Sequence, residues 1–145
     1  MLWAFFTTAL FGFLRSSEFC SPTSSAFSAT STILVKDVQL TDAVAKIVIK
    51  ISKADPFRNG NEIILAASNS SICPLRALRN HPRSCTRPDA PLFTFTDNTF
   101  LTRHSLSNLL KSLLRPTCPD IGRYSSHSFR IGAATTAAAA DVPEW

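Results

Sequence analysis

From residue 43 to residue 52 apolar and cationic side chains alternate, and this stretch constrains the fold more than any other. Ala45, Ile47, Ile49 and Ile51 fall on one side of an extended chain, and Lys46, Val48 and Lys50 fall on the other. Successive strand residues point to opposite faces. The pattern therefore predicts a strand with one buried and one wet face, as an antiparallel sheet requires. Residues 53–60 follow, Lys-Ala-Asp-Pro-Phe-Arg-Asn-Gly, dense in turn formers and ending in Asn-Gly. Residues 62–67 resume as a strand, so the pair reads as a β-hairpin whose loop projects Lys53 and Arg58. Residues 33–40, rich in branched side chains, supply a third strand.

Elsewhere the apolar period lengthens to that of a helix. Leu2, Phe5, Phe6, Leu10, Phe13 and Leu14 recur on a broad stripe, predicting a helix that ends near Ser16 or Ser17. Residues 21–32 are Ser-, Thr- and Ala-rich and read as loop. A short helix with Pro74 at its start covers 73–80. A Pro- and Arg-rich loop spans 82–91, followed by a brief extended piece over 92–95. Residues 102–114 form an amphipathic helix with Leu106, Leu109, Leu110, Leu113 and Leu114 inward, closed by Pro116. Ser126 is placed to cap a last helix over 127–140, made almost wholly of small residues that allow close packing. The expected fold is α+β: mostly helical, with a three-stranded antiparallel sheet and hairpin, in one domain.

The N-terminal apolar run resembles a secretory leader in composition, but no basic segment precedes it and Arg15 comes after it. It is also shorter than the roughly 20 residues that span a bilayer. It is read as a core helix. Cysteines at 20, 73, 85 and 118 form no Cys-x-x-Cys pair and have no histidine at zinc-ligand spacing. They are expected to be reduced thiols, with no metal. With 15 Lys and Arg against 10 Asp and Glu, the chain carries a net charge of +5 and an isoelectric point near 9.4. That balance favours a polyanionic partner, nucleic acid first.

Three pieces of sequence carry candidate chemistry: Leu14-Arg15-Ser16-Ser17-Glu18, the hairpin lysine Lys53, and His127-Ser128-Phe129-Arg130. Singly each has an ordinary explanation, as a helix-end arginine, a solvated loop lysine and two residues sharing a helix face. In this order they resemble the tyrosine recombinase (phage integrase) family. The run Tyr124-Ser125-Ser126-His127-Ser128-Phe129-Arg130-Ile131-Gly132-Ala133-Ala134-Thr135 is similar to recombinases of DIRS-type retrotransposons. The hairpin Ser52-Lys53-Ala54-Asp55-Pro56 and the run Ile72-Cys73-Pro74-Leu75-Arg76-Ala77-Leu78 fit the same group.

The resemblance implies a DNA breaking–rejoining catalytic domain that acts without a metal or other cofactor. Its members attack a phosphodiester with a tyrosine hydroxyl, so side chains must hold the charge on the phosphate. By resemblance Arg15 and Arg130 are the phosphate clamp, Lys53 the general acid on the leaving oxygen, and His127 a phosphate ligand or proton-transfer aid. Glu18 is expected to orient its neighbours. DNA is the implied partner, with homo-oligomers forming on it, no membrane and no small-molecule cofactor. The implied location is the nucleus, or the cytoplasm for an inactive fragment, and not the secretory route. One departure stands out: the family's nucleophile follows the His-x-x-Arg motif, whereas the single tyrosine here, Tyr124, precedes it. Residues 1–145 are thus expected to be a catalytic domain incomplete at its C-terminal end, without the family's N-terminal DNA-binding domain and inactive in strand transfer. The alternative is a non-catalytic DNA-binding module derived from a mobile element.

Overall fold

A computed structural model describes residues 1–52, 55–57, 59–81 and 87–143. The fold is α+β, a small antiparallel sheet packed beside helices. In chain order the helices and strands are α1 (Leu2–Phe11), α2 (Ser16–Phe19), β1 (Val38–Leu40), β2 (Val44–Ile49), β3 (Asn61–Ala66), α3 (Pro74–Arg79), α4 (Arg103–Leu114) and α5 (Ser128–Ala139). Single 3-10 turns lie at Val35–Asp37 and Ile121–Arg123.

The sheet follows the alternation in the sequence. Its order is β1-β2-β3, both pairs antiparallel, with Ile47 opposite Val38 on one side and Ile63 on the other. Ala45, Ile47 and Ile49 are buried on the inner face while Val48 is exposed. Gly60 takes φ 75°, where a side chain is strained, and a Cβ there would lie a tight 3.2 Å from the Ile49 carbonyl oxygen. The third strand is shorter than expected. Residues 35–37 turn instead, because the Asp37 carboxylate accepts from the Leu34 N–H at 2.7 Å and pairs with Lys50 Nζ at 2.6 Å. Lys50 also donates to the carbonyls of Ala29 and Thr32, so its side chain staples a loop and does not stand on a wet face.

The N-terminal helix stops at Phe11, five residues earlier than expected. Phe13 takes a left-handed φ of 51°, which no helix accommodates, and α2 begins afresh at Ser16. Fully buried Phe5 is the hub of the core. Its ring lies 4.7 Å from Phe19, 5.3 Å from Phe93 and 5.8 Å from Phe129, all edge-to-face. Phe129 also stacks on Phe6 at 5.1 Å. Those rings fasten the first turn of α5 onto α1, although the two helices are far apart in sequence.

Two expectations about the late helices need correction. On α4 only Leu106 is buried, and Leu113 is 55% exposed; the apolar stripe exists but little covers its C-terminal half. On α5 only Ala133 is buried, and a Cβ on Gly132 would meet nothing within 4 Å. The face of α5 that carries Ala133 packs against α1, and the rest of its small residues are largely uncovered. His127, not Ser126, occupies the N-cap position, and Ser126 is buried. Cys20, Cys73 and Cys118 are free thiols, and Cys85 lies outside the described residues. Among the described residues no helix is long and apolar enough to cross a membrane, and no cluster of His, Cys, Asp or Glu could hold a metal.

Candidate phosphate site

Arg15 is the N-cap of α2 and is fixed by the third residue of that helix. Its backbone N–H donates to Glu18 Oε2 at 2.8 Å, while Glu18 N–H donates to the Arg15 carbonyl at 2.9 Å. The Arg15 guanidinium lies 3.4 Å from Glu18 Oε1 through Nη1, and the same Nη1 donates to Ser52 Oγ at 2.8 Å. Ser52 in turn donates to Glu18 Oε1 at 2.9 Å. Glu18 is only 4% exposed, so its charge is supported where water cannot reach it well. Three side chains, from α2, its cap and the segment just after β2, thus close a ring. Arg15 Nε and Nη2 bond to no other described residue and remain free for a ligand.

Arg130 reaches the same place from the other end of the chain. Phe129, locked between Phe5 and Phe6, sets the first turn of α5. The next residue then donates from Nη1 to the Phe13 carbonyl at 2.6 Å. Arg15 and Arg130 both line one cavity of about 150 Å³, with Gly12, Phe13, Glu18, Ser52 and Asn61 among its walls. Two arginines and one carboxylate are thus among the residues lining the cavity, and a guanidinium is a planar fork that matches the oxygens of a phosphate.

The other expected site residues are placed differently. His127 is exposed at the start of α5 and is not among the residues lining this cavity; its backbone N–H donates to Ser125 Oγ at 3.3 Å. Lys53 lies outside the described residues, as does the loop arginine Arg58. Its neighbour Ser52 is on the cavity wall, and Ser52 was not singled out in the sequence. The only available signal was adjacency to Lys53. Tyr124 is 38% exposed after the 3-10 turn at Ile121–Arg123 and lies outside the cavity lining. The neighbouring Cys118 side chain pushes its hydroxyl pKa up. Comparison with protein-family models and with curated proteins finds no match for this chain.

Proposed function

We propose that this chain is a tyrosine-recombinase-like domain that grips DNA phosphates between Arg15 and Arg130. One observation carries the reading: two arginines more than a hundred residues apart, each in a motif that resembles the family's, line one cavity. In the full reaction Arg15 and Arg130 hold the charge of the attacked phosphate, and Lys53 protonates the leaving oxygen from its hairpin. His127 acts from the helix start, one turn before Arg130. The domain then works in the nucleus on duplex DNA, as homo-oligomers assembled there.

A second reading has its own support. Tyr124, the single tyrosine in the sequence, is not among the residues lining the cavity, which supports phosphate binding without strand cleavage. A nicked suicide substrate separates the two, since it traps a phosphotyrosyl intermediate. The account expects DNA binding that Arg130→Gln weakens, and no covalent adduct. An adduct at Tyr124 would overturn the placement of that residue. Absence of any DNA binding would overturn both readings.

A further inference from the structure

Where β2 and β3 pair, the inner face of the sheet carries Ala45, Ile47 and Ile49 on one strand and Leu65, Ile63 and Asn61 opposite them. Five of these six side chains are apolar and belong to the core or pack against it. Asn61 is the exception, and asparagine is disfavoured in strands as well. The turn does not ask for it, because Asn59 and Gly60 come before it and Gly60 supplies the left-handed φ. Exposure at a strand end would suit any polar residue. The surroundings of Asn61 are more particular.

Asn61 lines the cavity of about 150 Å³ that Arg15 and Arg130 also line. Ser52, just past the end of β2, lies on the same lining, so both feet of the hairpin border the cavity. The Asn61 backbone is held in place. It pairs with Ile49 across the sheet, and the preceding Gly60 N–H donates to Asp55 Oδ2 at 2.7 Å. Ser52 and Glu18 are already bonded to each other and to Arg15. The Asn61 carboxamide, by contrast, bonds to no described residue. It therefore offers the cavity two open N–H donors that carry no charge.

We infer that Asn61 is a third phosphate contact of this cavity, its Nδ2 donating to an oxygen of the phosphate that Arg15 and Arg130 grip. The identity of that phosphate, a DNA backbone phosphate, rests on the recombinase-like reading. A neutral donor differs from an arginine in a measurable way. It adds a hydrogen bond to a charged oxygen but neutralises no phosphate, so it releases no counterion. Its removal lowers affinity by the same factor at every salt concentration.

The test is the dissociation constant of a short duplex at several salt concentrations, for the parent, Asn61→Ala, Asn61→Val and Arg130→Gln. Asn61→Val removes the donors and keeps a side chain that strands favour, which guards against loss of the fold. Both Asn61 variants should bind about fivefold more weakly. Their slope of log affinity against log salt should equal the parent's, whereas Arg130→Gln should flatten it by about 0.9. Neither variant changes the charge of the cavity, so a long-range electrostatic effect cannot produce the loss. Parent affinity in either folded Asn61 variant would overturn the inference, and so would a flattened slope. Unfolding of both variants would assign Asn61 to the fold and overturn it as well. A parent that responds to Arg130→Gln but not to the Asn61 variants leaves the functional proposal standing without this contact. A parent that binds no duplex removes that proposal, and this inference with it.

Discussion

Arg130 on α5 donates a 2.6 Å hydrogen bond to the carbonyl oxygen of Phe13, across 117 residues of chain. Phe13 is one of few non-glycine residues with a positive φ, so the arginine secures a strained turn as well as facing the cavity. The turn ends α1 and delivers Arg15 to the cap of α2. One bond therefore couples the position of both candidate clamp residues.

Ser52 is expected to hold Arg15 in place. Ser52→Ala removes a 2.8 Å acceptor from Arg15 and a 2.9 Å donor from buried Glu18. Stability measured by urea denaturation should fall by about 1–2 kcal/mol, and DNA affinity should fall with it. Ser52→Thr keeps the hydroxyl and should recover most of both. An alanine variant as stable as the parent would show that the ring is not formed in solution.

Lys46 on β2 and Lys50 just past its end should differ sharply. Lys50 pairs with Asp37, whose side chain is 10% exposed, and donates to two loop carbonyls. Lys46 makes one exposed pair with Glu62. Lys50→Ala should cost about 1–3 kcal/mol of folding free energy. Lys46→Ala should cost less than about 1 kcal/mol. Equal losses in thermal or chemical unfolding would contradict the staple.

Much of the sheet was legible because a period of two is a strong local signal, and the burial of Ala45, Ile47 and Ile49 follows it. What failed was non-local. The apolar stripe running on to Leu14 hid the left-handed turn at Phe13, since a period does not record a φ angle. The branched residues 33–37 read as strand until the Asp37 carboxylate is seen capping Leu34. Leucines on α4 marked an apolar face correctly, yet a pattern cannot say what covers it. In the candidate site, Arg15 and Arg130 were reached through a resemblance. Spacing alone does not bring residues from the two ends of a chain together. Ser52 was missed because its role arises only when the end of β2 meets α2, 34 residues from Glu18.

Alkaline pH should expose the buried thiol of Cys20. Its pKa is raised by burial from 9.0 to about 12, so the folded chain keeps a proton that the unfolded chain has lost. This contribution to stability is fully present below pH 9 and is lost as pH rises from 9 to 12. Cys20→Ala removes the titration, and its unfolding free energy should fall less steeply than the parent's over that window. Parallel slopes for the two proteins would show that the thiol is not buried as described.

The central claim is that Arg130 contacts a DNA phosphate, and the salt dependence of binding tests it most directly. Dissociation constants for a short duplex are measured by fluorescence anisotropy at several salt concentrations, for the parent, Arg130→Gln and Lys111→Gln. Each phosphate contact contributes about 0.9 to the slope of log affinity against log salt. The parent should show a clear negative slope, Arg130→Gln a slope shallower by about 0.9, and Lys111→Gln, altered on the helix α4, the parent's slope. A flat parent, or Arg130→Gln and parent slopes that coincide, would contradict the account.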